Sequence, residues 1–126
     1  MIRPALLLLM FAVACGGEKP AAPPQTAAKP VVDPKVERGR QLVAQYGCTV
    51  CHVIPGIEGS HGQLGPSLAG VASRPTLSEG AVQNTPANLA QFIQSPASLN
   101  PQSSMPPMGV DDAEADALAA FLLTLK

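Results

Sequence analysis

Between Val36 and Lys126 the chain carries only three aromatic side chains, Tyr46, Phe92 and Phe121, and no Trp. So small a stock of large apolar groups fills a core poorly, and domains of this size are commonly held together by a disulfide, a metal or another bound group. The full chain of 126 residues has 14 Pro and 11 Gly, which leaves room for one small domain. Its formal net charge is −1 and its Lys and Arg residues form no cluster. That excludes nucleic acid as the main partner, because backbone neutralisation needs concentrated positive charge.

The N-terminal segment 1–14 has one basic residue, Arg3, followed by an apolar run from Ala5 to Met10 that continues through Phe11, Ala12 and Val13. This pattern predicts a signal peptide, too short to span a membrane as a mature helix. The stretch Ala12-Val13-Ala14-Cys15-Gly16-Gly17 resembles the lipobox of bacterial lipoproteins, with Cys15 as the lipidated residue and Ala12 where leucine is usual. The alternative is an ordinary signal cut near Cys15. Both readings place the chain outside the cytoplasm, on the periplasmic or extracytoplasmic face, where a lone thiol is a liability.

From Cys15 to Lys35 the composition turns to Pro, Ala, Lys, Gln and Thr, with Pro20, Pro23, Pro24, Pro30 and Pro34. Such a segment reads either as a polyproline tether, reaching at most about 60 Å at ~3.1 Å per residue, or as a disordered spacer with no length requirement. The folded domain is then expected over residues 36–126.

Three helices are legible. Asp33 and Pro34 form a cap and first-turn pair, followed by Val36, Gly39, Val43 and Tyr46 on one face and by Gly47 as terminator. Gly39 in the middle of that face costs about 1 kcal/mol relative to Ala, which points to close approach of another backbone. Thr85 and Pro86 open a second helix bearing Leu89, Phe92 and Ile93, with Ser95-Pro96 as its stop. Asp111 and Glu114 match a capping box for a third helix, whose stripe is Leu118, Phe121, Leu122 and Leu125. Asp112 and Asp116 favour the positive end of its dipole, so this acidic group reads as capping and solvation and not as a metal cluster. No segment sustains period-2 alternation. The expectation is an all-α domain of three to four helices with long loops, and such loops make sense when they wrap a ligand.

The ligand is indicated by Cys48-Thr49-Val50-Cys51-His52, the spacing of c-type haem attachment. Two thiols separated by two residues reach the two vinyl groups on one porphyrin edge, and the next residue is placed to bind the iron. Cysteine parity agrees, since haem uses Cys48 and Cys51 and lipid uses Cys15. Three other readings exist. A thioredoxin-like pair needs a βαβ context that is missing here. A zinc site from Cys48, Cys51, His52 and His61 has suitable ligand types but strains the adjacent Cys51 and His52 and leaves the methionine region unexplained. A Cys48 to Cys51 disulfide closes too small a loop to stabilise much. His61 lies only a few residues after His52 and is expected at the surface.

At these residues the segment 36–126 resembles a class I, monohaem cytochrome c. The matching features are Gly39 in the first helix, Cys48 to His52, Gly65-Pro66-Ser67-Leu68, the helix from Thr85 to Ser95, Met105-Pro106, and the helix from Asp111 to Leu125. The resemblance implies that the first and last helices cross, with Gly39 against Phe121 or its neighbours. It implies that the Pro66 carbonyl accepts a hydrogen bond from His52 and that Leu68 packs on the haem face. Within it, Val71 to Arg74, Gly80 and Asn84 to Leu89 more narrowly resemble the cytochrome c domain fused to subunit II of haem-copper oxidases, which makes Arg74 a candidate partner of a haem propionate. Those relatives carry Trp where this chain has Phe92, so one propionate donor is missing. The sixth ligand lies between Met105 and Met108; Met105 is preferred because it precedes Pro106, as the family ligand precedes a proline.

The resemblance therefore implies one covalent haem c, with His52 and Met105 as iron ligands, carrying single electrons and not acting as an enzyme. The expected partners are redox proteins such as a terminal oxidase or a quinol-oxidising complex, with the chain monomeric and anchored to a membrane by lipid. A haem peroxidase, a gas or redox sensor, and a structural zinc lipoprotein are the alternatives. Acidic residues outnumber basic ones after Lys35, so docking is expected to rest on an apolar rim of Val53, Ile54, Pro55, Pro106, Pro107 and Met108.

Overall fold

Helix α1 (Pro34–Gln45) opens as the sequence dictates: the Asp33 carboxylate accepts the Lys35 backbone N–H at 2.8 Å, and Pro34 occupies the first turn, where its missing N–H is no loss. The computed structural model describes residues 32–126, so the signal segment, Cys15 and the tether up to residue 31 lie outside the described residues. The helix thus begins two residues before Val36. It ends at Tyr46, and Gly47 takes a left-handed φ of 65° that turns the chain directly into the one-turn helix α2 (Cys48–Cys51).

Helix α3 (Pro86–Gln94) is capped by Thr85, whose Oγ1 accepts the Asn88 N–H at 3.1 Å. Ser95-Pro96 does stop it, but Pro96 then serves as the first residue of a further turn, α4 (Pro96–Leu99), which the sequence reading did not foresee. A fixed φ suits a helix start as well as a helix stop. Helix α5 (Asp112–Leu122) carries the full capping box between Asp111 and Glu114. It ends at Leu122, so Leu125 lies beyond the helix, half-buried, with its carbonyl accepting the Ala72 N–H at 3.0 Å. The fold is all-α apart from a two-residue antiparallel ladder, in which β1 (Thr76–Leu77) pairs with β2 (Val82–Gln83), too short to leave an alternating pattern.

Helix α5 packs on both α1 and α3. The crossing with α1 is set by Gly39, where a Cβ would overlap the Ala117 carbonyl and fall 2.8 Å from the Phe121 Cβ. Around this point Leu42, Val43, Leu118, Phe121 and Leu122 form the core together with Leu89 and Ile93. Ala115, Ala117 and Ala119 are also buried, and Ala117 is the one whose backbone meets Gly39 at the crossing.

A polar strap crosses the same junction. The Tyr46 hydroxyl donates to Glu114, the Arg38 guanidinium lies 3.5 Å from the same carboxylate, and Lys35 pairs with Asp116 at 3.3 Å. The hydrogen bond to Glu114 holds the Tyr46 phenol above its ordinary ionisation range, with desolvation and the nearby carboxylates of Glu114 and Asp111 adding to the effect and Arg38 opposing it. A group whose pKa is raised by folding stabilises the fold fully below its unfolded value, about 10 for tyrosine, and that contribution is lost as pH rises through the folded value. Denaturant midpoints measured across alkaline pH are therefore expected to fall more steeply above about pH 10 in the native chain than in Tyr46→Phe. Parallel curves would contradict this assignment.

Candidate functional site

The turn at Gly47 places Cys48 and Cys51 three residues apart on one face of α2, and His52 then leaves the helix in an extended conformation with φ −114° and ψ 146°. The imidazole Nδ1–H donates to the Pro66 carbonyl at 2.7 Å. This leaves Nε2 as the ring nitrogen available for a metal. Gly65 makes the arrangement sterically feasible, because a Cβ there would lie 2.7 Å from Nδ1 and 3.0 Å from Nε2 of His52.

The loop between His52 and Pro66 is tied back onto α2. The Gly65 N–H donates to the Cys51 carbonyl at 2.8 Å and the Leu68 N–H to the Val53 carbonyl at 2.8 Å. Buried Ser60 donates its hydroxyl to the His52 carbonyl at 3.0 Å and accepts the Ile54 N–H. Gly62 sits so close to the Cys51 and His52 backbone that a Cβ would fall 2.7 Å from the Cys51 Cα. Sequence reasoning singled out neither Ser60 nor Gly62. The available signal was the spacing of glycines at 56, 59, 62 and 65.

Cys51, His52, Gly65 and Pro66 belong to one wall of a cavity of about 1390 Å³, above the ~300–1,000 Å³ of ordinary small-molecule sites. Cys48, Cys51, His52, Leu68, Arg74, Phe92, Met105 and Met108 all line it. Cys48 and Cys51 are half-buried and form no disulfide, so both sulfurs are available for attachment. Leu68 is half-buried and packs against the core. Arg74 does more than face the cavity: its Nη2 donates to the Ser67 carbonyl at 2.6 Å and the Ala69 carbonyl at 2.9 Å, clamping the chain just after Pro66. Asn84 braces this segment in turn, its Nδ2 donating to the Val71 and Arg74 carbonyls at 2.8 Å each.

The two methionines are placed differently. Met108 packs against the hydrophobic core and its N–H approaches the Ile93 carbonyl at 3.4 Å, whereas Met105 lines the cavity without joining that core. His61 is exposed and does not line the cavity. Among the described residues no three His, Cys, Asp or Glu side chains converge as a metal site would require, so the four zinc ligands considered above do not assemble. The apolar rim also needs correction. Ile54 is 2% exposed and Met108 half-buried, while Val50, Val53 and Leu64 stand out from the surface at 70%, 40% and 83%.

Two thiols on one helical face, an oriented imidazole beside them and a large cavity with apolar walls fit a covalently attached porphyrin. They define a small all-α haem protein. The family model for cytochrome c matches residues 36–126, and the chain belongs to that family, as a class I cytochrome c with covalently bound haem c and its iron; Cys48 and Cys51 fit the haem-attachment motif. No curated protein matches the chain.

Because the imidazole rests directly on Gly65, Gly65→Ala is expected to displace the ring and break its bond to Pro66, a contact of a kind worth about tenfold or more in metal binding. NMR of the haem-loaded variant should show the His52 Nδ1 proton exchanging with solvent faster than in the native protein. Unchanged exchange would contradict the cradle.

Proposed function

We propose that this chain is a membrane-tethered carrier of single electrons whose iron is bound by His52 Nε2 and the Met105 thioether. The haem, when bound, supplies an iron that alternates between ferric and ferrous states. The chain's own residues decide what that iron does. Pro66 accepts the Nδ1 proton of His52 and makes the imidazole a stronger donor while fixing its plane. A thioether is a soft ligand that favours ferrous iron and raises the potential. With His52 and Met105 both bound to it the iron would have no position left for a substrate, which favours electron transfer over peroxidase or gas-sensing chemistry.

The observation that carries this reading is that the oriented His52 and an uncommitted Met105 line the same cavity. Met108, engaged with the core, is the poorer ligand candidate. The protruding Val50, Val53 and Leu64, together with exposed Pro106 and Pro107, supply an apolar contact for a redox partner such as a terminal oxidase or a quinol-oxidising complex. A lipid on Cys15 would hold the exported, monomeric chain beside such a partner and reduce the need for charge steering.

Met105→Ala is expected to abolish the sulfur-to-iron charge-transfer band of the ferric protein and lower its potential, while Met108→Ala keeps both; visible spectroscopy and potentiometry check this, and the reverse pattern would move the ligand role to Met108. Membrane fractionation tests the anchor separately. Cys15→Ser should release the protein into the soluble fraction with its spectrum unchanged, and continued membrane retention would defeat the lipoprotein reading.

A further inference from the structure

Asn100 stands at the C-terminal end of α4, half-buried on the cavity wall, and every polar group it has is engaged. Its N–H donates to the Pro96 carbonyl and its own carbonyl accepts the Ser103 N–H, both at 2.9 Å. Its Oδ1 accepts the Gln102 N–H at 3.0 Å, an Asx turn, and its Nδ2 donates to the Ser78 Oγ at 2.9 Å. Ser103 passes the connection on, since its Oγ accepts the Met105 N–H at 3.3 Å. A continuous line of hydrogen bonds thus runs from Ser78 through Asn100 and Ser103 to Met105.

The far end of that line is unusual backbone. Ser78 and Glu79, in the turn between β1 and β2, have φ of 50° and 56°, the left-handed region that residues with a Cβ seldom adopt. Such conformations persist where the surroundings hold them. Among the described residues the Asn100 to Ser78 bond is the one hydrogen bond joining this turn to the segment 100–108.

We infer that Asn100 is a positioning residue for the sixth ligand: by fastening the methionine loop to the β1–β2 turn, it presents the Met105 sulfur in one place. The inference rests on the reading of Met105 as ligand. Residues 100–111 contain no helix or strand, so the loop's conformational freedom must be lost whenever the sulfur binds. The two prolines after Met105 stiffen its exit, and Asn100 does the same for its entry. Without the tie, a competing ligand displaces the sulfur more readily.

The test is titration of the ferric holoprotein with imidazole, read as loss of the sulfur-to-iron band. Asn100→Ala and Ser78→Ala should each raise the apparent imidazole affinity about three- to tenfold, the range one hydrogen bond supplies. Combining them should add little, because both remove the same tie. Asn100→Asp keeps the acceptor for Gln102 and lets the Ser78 hydroxyl donate in return, so it should stay within about twofold of the native protein. Ser98→Ala, which loosens α4 without touching the tie, should do the same. An effect of a merely structural kind would lower thermal stability in all these variants and leave imidazole affinity unchanged. Native-like affinity in both Asn100→Ala and Ser78→Ala would overturn the inference while leaving Met105 as ligand. A band that survives Met105→Ala would overturn the ligand reading first, and this inference with it.

Discussion

The hydrogen bond from the His52 imidazole to the Pro66 carbonyl, made over a glycine that leaves the ring nothing to strike, is the constraint around which the rest of the domain is arranged. It joins the short helix bearing the two thiols to the next loop of the chain. Ser60, Gly62 and the Gly65 N–H close that loop from within, and Arg74 clamps it from outside through the Ser67 and Ala69 carbonyls. The imidazole is thereby oriented by backbone groups that cannot rotate away, which is how a protein fixes which ring nitrogen meets a metal.

The helices supply the rigid frame for this arrangement with little material. Gly39 lets α1 and α5 approach until a Cβ there would strike the Ala117 carbonyl, so the two helices pack closely although the core is poor in aromatic residues. What that core does not fill is the cavity, and a covalent haem held at Cys48 and Cys51 would complete the interior there. Cofactor and hydrophobic core are therefore one energetic unit in this domain, consistent with the need of small chains for a bound staple.

Features carried by neighbouring residues were legible in the sequence: the caps at Asp33, Thr85 and Asp111, the left-handed Gly47 and the Cys48 to His52 spacing each act within a few positions of themselves. The contacts that were not legible connect distant positions through groups with no distinctive type. Leu42 and the buried alanines look ordinary in a helix, and Glu114 reads in the sequence as a cap alone, although Tyr46, just past the end of α1, also bonds to it. The resemblance makes Arg74 a candidate partner of a haem propionate; in the structure its guanidinium holds two backbone carbonyls. Serine and asparagine give the least warning, because their roles at Ser60, Ser78 and Asn100 depend on which backbone arrives beside them. Pro96 marks the same limit from the other side, since one residue type both ends α3 and begins α4.

Whether side chains occupy both axial positions of the iron decides between carrying electrons and doing chemistry on a bound molecule. Exposure of the purified ferrous protein to carbon monoxide reads this directly in the visible spectrum. If His52 and Met105 hold the iron as proposed, the ferrous spectrum stays unchanged under carbon monoxide at neutral pH. Prompt formation of a stoichiometric carbon monoxide adduct would show an open or readily vacated position, and the protein would then be a ligand-binding cytochrome and not an electron carrier.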